Sequence, residues 1–354
     1  MIDLIIITYD AKDKLRLCLK SVEKQTRRTD YLLTIVNNNS TDGTFQFLER
    51  YRKRRSIQVI NTDKNLGFSG GANLALKKTR NKFIALLDDD VEVTEKWLAG
   101  LYRQIKNKPN VGMVGPKIIS PCGEISSADY RLGLFRLIGC GEADKGQRDY
   151  IRECDALIGP CWLMRRKIIE KVGYFDERFF PSQHEDIDYC LRVRLAGYKI
   201  IYNGKVDVVH HHLSRDGELF NENLLKFFKK WKALSRKYPF KDSHPLDKHA
   251  AYGIGHIENK RFGQALCEFR KAEAIDKRFS EPLYVGLALK GLGRFDDAII
   301  EFKKLLDLNP GNARAHYQLA LVYRKMGYFK EAGIESGKTF DMLRDIKNGR
   351  IYSL

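Results

Sequence analysis

Along the first part of the chain, short uninterrupted apolar runs alternate with segments whose apolar positions recur at helical spacing. Residues 2–8 read as a strand buried on both faces, and Leu15, Leu19 and Val22 then fall on one face of a helix. Runs at 31–36, 57–60 and 83–87 continue the series of strands. Such alternation is the pattern of βαβ units around a mainly parallel sheet. The strands end in polar residues, Asn37-Asn38-Asn39-Ser40-Thr41-Asp42-Gly43 after the second and Asp88-Asp89-Asp90 after the fourth. Open α/β sheets bind ligands at those carboxyl ends.

Between about residues 111 and 180 the pattern becomes irregular and rich in glycine, which predicts an excursion that shapes a pocket rather than another βα unit. Order returns at His184-Glu185-Asp186-Ile187-Asp188, where Ile187, Cys190, Leu191 and Leu195 form one helical stripe closed by Gly197. Two short strands are expected next, ending in His210-His211-His212. The basic stretch 224–237 is amphipathic, with Phe227, Phe228, Trp231 and Leu234 on one side. It is expected to pack back as the last helix of the first domain, and peripheral contact with an anionic membrane surface is the alternative.

After Pro245 the strands stop and a repeat begins. Ala265, Ala298 and Ala332 stand 33 and 34 residues apart, with Gly253, Gly286 and Ala320 in register before them and Phe269 and Phe302 after the first two. Small residues at fixed points allow helices to cross closely, and Asn309-Pro310 punctuates a turn. The pattern resembles the tetratricopeptide repeat, about three units, with departures at Lys277 and Ser336. A further helix from about Thr339 is expected to cap the array. The domains are placed at 1–240 and 246–354.

The 354 residues, 43% hydrophobic and 31% charged, describe a folded chain large enough for two domains. No apolar run approaches the roughly 20 residues that span a bilayer, and no secretory leader is present, so a cytoplasmic location is expected, at most at the inner face of a membrane. Seven dispersed cysteines without a CxxC pair read as buried thiols rather than disulfides or a zinc site. Lys and Arg outnumber Asp and Glu by 63 to 45, a formal charge of +18, which favours anionic partners. The densest basic run, Arg50 to Arg55, reads as solvated surface, and no motif that reads nucleic acid accompanies the charge, so no nucleic-acid partner is expected.

Three consecutive carboxylates repel one another unless positive charge lies between them, and a divalent cation bridging to a diphosphate supplies it. Asp88 and Asp90 make a DxD. The turn Asn65-Leu66-Gly67-Phe68-Ser69-Gly70-Gly71-Ala72-Asn73 leads into a helix, and its glycines permit close approach of backbone to an anionic ligand. Downstream, Glu185, Asp186 and Asp188 lie in a first helical turn, where the dipole favours acids in any case. That is the reading preferred for Asp188, whereas a carboxylate facing a sugar site is able to act as a general base.

Ile7-Thr8-Tyr9, the 37–44 turn, the 65–73 turn, the DxD, Gly173-Tyr174-Phe175-Asp176-Glu177, Glu185-Asp186-Ile187-Asp188 and His210, in this order, resemble glycosyltransferase family 2 over about residues 1–235, nearest the rhamnosyltransferase- and galactofuranosyltransferase-like branch. The resemblance implies an α/β GT-A fold, a Rossmann-like mixed sheet, ahead of the all-α repeats. It implies inverting transfer from a UDP-, dTDP- or GDP-linked sugar to a hydroxyl of a glycan, a lipid-linked glycan or a protein, with Mn²⁺ or Mg²⁺. By the same resemblance Thr8, Tyr9, Asn37, Asn39, Asp42, Gly67, Asn73, Asp88 and Asp89 serve the nucleotide-sugar, Asp90 and His210 the metal, Asp186 the base, and Trp162 and Glu185 the acceptor side, with a core aromatic the equal alternative for Trp162. The family commonly has Asp where Asn37 stands, which leaves the base open. Which of the three histidines faces the metal is open too. The repeats are expected to recruit a protein partner or a second copy. A scaffold that binds nucleotide-sugar without catalysis is the rival reading.

Overall fold

A computed structural model describes residues 1–26, 31–131, 136–211, 222–223, 225–227, 229–231, 245–275, 281–308 and 310–347. The chain divides into two compact units, the first built on residues 1–132, 136–139 and 144–236, the second on 237–354 with two short pieces at 133–135 and 140–143.

The first unit opens with β1 (Ile2–Thr8), α1 (Lys12–Gln25), β2 (Tyr31–Asn37), α2 (Thr44–Arg52), β3 (Ile57–Asn61), α3 (Gly67–Lys78) and β4 (Phe83–Asp88). Next come β5 (Val91–Val93), α4 (Trp97–Ile105), β6 (Val111–Ile119), β7 (Glu124–Ser127), β8 (Asp129–Arg131) and β9 (Arg136–Ile138), followed in the chain by β10 (Glu142–Ala143) of the short piece assigned to the second unit. The series closes with β11 (Ile151–Glu153), β12 (Cys161–Arg165), α5 (Lys167–Val172), α6 (Glu185–Leu195) and β13 (Lys199–His210). Within this unit the main path of the sheet runs β7-β6-β12-β4-β1-β2-β3. Strands β4, β1, β2 and β3 are mutually parallel, joined through helices as parallel strands require. Pairing continues one residue past each apolar run, setting Asn37 opposite both Thr8 and Asn61, and Asp88 opposite Ile7. Polar side chains are thereby fixed on rigid strand ends instead of hanging on loops. Leu15, Cys18, Leu19 and Val22 of α1 and Trp97, Leu98 and Leu101 of α4 complete the core under these strands.

The stretch expected to be an irregular excursion supplies much of the sheet. β6 is buried along nearly its whole length, and β12 runs antiparallel beside β4, with Cys161 opposite Leu87. Gly112 and Gly115 interrupt the apolar run of β6 because neighbours press on it. A Cβ on Gly112 would lie 2.8 Å from Tyr198 Cβ, and one on Gly115 2.9 Å from Leu157 Cδ1. The two short strands expected before the histidines are one, β13, 12 residues long with a register shift between Asn203 and Asp207. Cys18, Cys154, Cys161 and Cys190 are buried, but Cys122, Cys140 and Cys267 are exposed, so only part of the cysteine set behaves as core thiols. No helix among the described residues is long and apolar enough to cross a membrane. The helical residues 222–223, 225–227 and 229–231 return onto the first unit, where Phe227 is buried against the His184 ring. Leu224, Phe228, Leu234 and Lys237 lie outside the described residues.

The second unit contains helices α7 (Pro245–Glu258), α8 (Phe262–Ile275), α9 (Pro282–Gly291), α10 (Phe295–Leu308), α11 (Ala313–Lys325) and α12 (Phe329–Lys347), packed in consecutive pairs. The repeat register has a steric cause. A Cβ on Gly253 would come 2.5 Å from Phe269 Cε1, and one on Gly286 2.5 Å from Phe302 Cε1. Where the aromatic is replaced by Ser336, the small position relaxes to Ala320. Thr339 lies inside the 19-residue α12, so the cap expected there is not a separate helix. Lys277 and Asn309 lie outside the described residues. Gly286→Ala is expected to cost about 1–3 kcal/mol of overpacking, outweighing the ~1 kcal/mol that alanine gains in helix propensity. Urea unfolding checks it, and Phe302→Leu in the same chain should remove most of the penalty.

Candidate active site

The carboxylates after β4 are gathered by backbone pairing. Asp88 N–H donates to Pro160 O at 2.9 Å, and β13 runs antiparallel to β5 with His210 opposite Val91, which carries the imidazole to the strand end. His210 Nε2 lies 3.0 Å from Asp90 Oδ1, and Lys14 Nζ 3.3 Å from Asp90 Oδ2. Asp88, Asp90 and His210 each offer a ligand atom, all within 4.8 Å of one another. His211 turns instead to Glu92, at 2.6 Å. His212 lies outside the described residues.

The charges explain why the cluster calls for a cation. Burial, with Asp90 and Asp89 nearby, pushes the Asp88 carboxyl well above the usual carboxylate range. Burial also pushes Asp89 up to about 7, against the pull of the Thr8 hydroxyl and the Tyr9 N–H. Burial would raise Asp90 as well, but hydrogen bonding and charge from His210 and Lys14 outweigh it and bring Asp90 down to about 2. Two carboxylate oxygens and one imidazole nitrogen form a donor set suited to Mn²⁺ or Mg²⁺, and the repulsion between Asp88 and Asp90 is what such an ion relieves.

Asp186 stands in the first turn of α6. The chain enters through Gln183 and His184, both at positive φ (86° and 69°), which turns the helix start toward the strand ends. Each Asp186 carboxylate oxygen accepts a backbone N–H, Oδ2 from Gly159 at 3.0 Å and Oδ1 from Ile187 at 2.7 Å. Its negative charge contributes to the upward shift of Asp88, so the two acids belong to one site. Glu185, expected on the acceptor side, is only 6% exposed, and its Oε2 has no hydrogen-bond partner among the described residues. Burial beside Asp186 pushes its carboxyl well up. Trp162, also expected beside the acceptor, is a core side chain. It is fully buried, its Nε1 donates to Ile158 O at 2.7 Å, and its ring stacks on Phe175. Neither side chain presents a face to an acceptor.

Of the residues expected on the nucleotide side, Thr8 is buried and its hydroxyl makes no well-formed hydrogen bond among the described residues, although it lies close enough to Asp89 to favour the charged form. Tyr9 is 49% exposed at the end of β1. Asn37 donates through Nδ2 to Asn61 Oδ1 at 2.9 Å and accepts from Ser40 N–H at 3.2 Å, so its amide is largely committed within the protein. Asn39 is exposed at positive φ, and Asp42 ties Thr44 N–H and Oγ1 to Lys12 N–H, fastening the starts of α1 and α2 together. Gly67 and Asn73, expected near the ribose and phosphates, both pack against the 173–181 loop. A Cβ on Gly67 would strike Pro181 O and the Phe180 ring, at 2.6 and 2.9 Å. Asn73 donates to Phe175 O and Glu177 Oε1 and accepts from Phe175 N–H, all within 3.0 Å. The close approach that the glycine permits is to the 173–181 loop.

Residues 3–173 match the family described as glycosyl transferase family 2. Residues 3–173, largely within the first unit, form a glycosyltransferase family 2 domain. A tetratricopeptide repeat match covers residues 286–327. The chain is 27% identical over 221 residues to the O-antigen biosynthesis protein RfbC of Myxococcus xanthus, 59% of this chain and 17% of that protein. It is 24% identical over 244 residues to the N-acetylglucosaminyl-diphospho-decaprenol L-rhamnosyltransferase of Mycobacterium tuberculosis, 61% of this chain and 78% of that enzyme. The chain thus spans less than a third of some curated relatives it matches. The crystal structure of GalNAc-T7 with UDP, GalNAc and Mn²⁺ superposes with a TM-score of 0.56 at 16% identity, over 75% of this chain and 55% of that one. The fold is GT-A. Four contacts of the first unit had no signal in the sequence: Lys14 on Asp90, Gly159 on Asp186, and Lys230 and Trp231 on the buried Asp188.

Proposed function

We propose that the chain transfers a sugar, with inversion, from a nucleoside diphosphate to an acceptor hydroxyl. The observation that carries this reading is the convergence of Asp88, Asp90 and His210, within 4.8 Å, on the same strand ends as the backbone-anchored Asp186. Asp186 takes the proton from the acceptor hydroxyl as its oxygen bonds to the anomeric carbon, on the face opposite the breaking bond to the diphosphate. The two N–H bonds to Asp186 fix the direction of its remaining lone pairs, so the base is aimed before substrate arrives. Asp88, Asp90 and His210 would hold a divalent cation, which would supply positive charge to the diphosphate as negative charge develops there. Asp89, Thr8 and Tyr9 border the nucleotide.

UDP, dTDP and GDP all remain eligible as carriers, and the internal commitment of the Asn37 amide weakens that residue as a reader of the base. The mycobacterial relative, by its name a rhamnosyltransferase acting on a diphospho-decaprenol, favours a lipid-linked glycan as acceptor over a free glycan or a protein. The repeats would then hold a protein partner or a second copy of the chain.

The test is release of nucleoside diphosphate from a panel of UDP-, dTDP- and GDP-sugars by the full chain with Mn²⁺ or Mg²⁺. One donor should turn over slowly, stop on addition of EDTA and resume with excess Mn²⁺. A donor bound but never turned over would make the domain a nucleotide-sugar scaffold. No binding with either metal would end the glycosyltransferase reading.

A further inference from the structure

Asp188 is enclosed completely yet has three partners, only one of them on its own helix. Arg192 Nε reaches Oδ2 at 3.0 Å, whereas Lys230 Nζ and Trp231 Nε1 reach Oδ1 at 2.6 and 2.9 Å. Lys230 also lies 2.6 Å from Asp176 Oδ2, and Arg178 holds the same carboxylate with Nε at 2.9 Å and Nη2 at 2.6 Å. Upstream, the buried Asn223 donates through Nδ2 to Ser182 O at 2.8 Å, and Lys226 Nζ steadies its Oδ1 at the same distance. Phe227 lies against the His184 ring, with centroids 6.1 Å apart.

Asn223, Phe227, Lys230 and Trp231 therefore grip the chain that enters α6 at Asp176, Ser182, His184 and Asp188. Asp186 lies inside that span. The gripped chain includes Gln183 and His184, whose positive φ is unfavourable for side chains of this kind and persists only where the surroundings impose it.

We infer that Asn223, Lys230 and Trp231 form a strap that positions the catalytic base, holding the left-handed turn at 183–184 and so setting the aim of the Asp186 carboxylate. The strap touches no reacting atom. Its ion pairs are arranged so that it can be weakened without stranding a charge, because Asp188 keeps Arg192 and Asp176 keeps Arg178 when Lys230 is lost. A Lys230 variant is accordingly expected to fold and to fail in catalysis.

The inference rests on the role proposed for Asp186, and the experiment separates the two. In the full chain, Lys230→Met should lower kcat by about ten- to a hundredfold, the scale set by small misplacements of a catalytic group. Binding of the nucleoside diphosphate with Mn²⁺ should stay within about twofold of wild type, as the strap does not reach the metal cluster. Lys230→Arg should restore most of the rate, and Trp231→Phe, which keeps the ring but loses the N–H, should fall between. Combined with Asp186→Asn, Lys230→Met should add almost no further loss, since a residue acting through the base has nothing left to position. Hydrogen exchange across 180–190 should quicken in Lys230→Met. Unchanged kcat and exchange, a loss additive with that of Asp186→Asn, or a loss that follows nucleotide binding would each overturn the strap. A wild-type chain that turns over no donor overturns the proposed reaction, and the strap as a device for positioning a base falls with it.

Discussion

Asp186→Asn is expected to lower transfer by about 10²–10⁴-fold, the usual contribution of a positioned acid or base, while nucleotide affinity stays within about twofold. The substitution is nearly isosteric but chemically one-sided. Both oxygens of Asp186 accept N–H groups, from Gly159 and Ile187, and an asparagine amide can accept at only one of them. The variant therefore loses the proton acceptor and one of its two anchors together. Asp186→Glu separates these effects, because it keeps the charge and displaces it. Initial rates with saturating donor, set beside nucleotide binding by calorimetry, decide the matter. If Asp186→Asn keeps more than about a tenth of the wild-type rate, Asp186 is not the base.

Asp90→Ala should act on the opposite side of the reaction. It removes one of three converging ligand atoms and releases Lys14 and His210 from their partner. A drop in turnover of about 10³-fold, or about 4 kcal/mol of transition-state stabilisation, is expected from losing a metal site that neutralises a leaving diphosphate. Paramagnetic titration with Mn²⁺ should show weakened binding in parallel. Asp89→Ala, with the same change of formal charge, should disturb metal binding far less, as Asp89 is outside the cluster of ligand atoms. Equal Mn²⁺ affinity in wild type and Asp90→Ala would place the metal elsewhere.

What could be read from the sequence was local. Strands β1 to β4 announce themselves as apolar runs, and the residues that follow are carried to the sheet edge by the fold class itself, so the neighbourhood of Thr8, Asn37 and Asp88 was legible. The pairing of Lys14 with Asp90 was not, because it joins residues 76 positions apart on a helix and a strand end with no spacing rule between them. β6 was hidden by Gly112 and Gly115, whose absent side chains are a property of Tyr198 and Leu157 rather than of the strand. The inward turn of Trp162 and Glu185 was not legible, because a motif position says which element a side chain is on, not which way it points. The repeats were legible in register because each Phe–Gly pair is a contact within one repeat.

The clasp between Asn73 and Phe175 bears on how relatives of this chain are to be sorted. The 65–73 turn and the 173–177 loop, two stretches that carry the likeness to a sugar-transferring enzyme, hold each other through the Asn73 side chain, which bonds the Phe175 main chain and Glu177 Oε1. They are a hallmark of the frame. A descendant that had abandoned chemistry and survived as a binding protein would still need both stretches to fold, and would be free to lose Asp90, His210 and Asp186. Living enzymes and silent copies are thus told apart by that second set, and a substitution in the first set should be looked for together with a compensating change in its clasp partner.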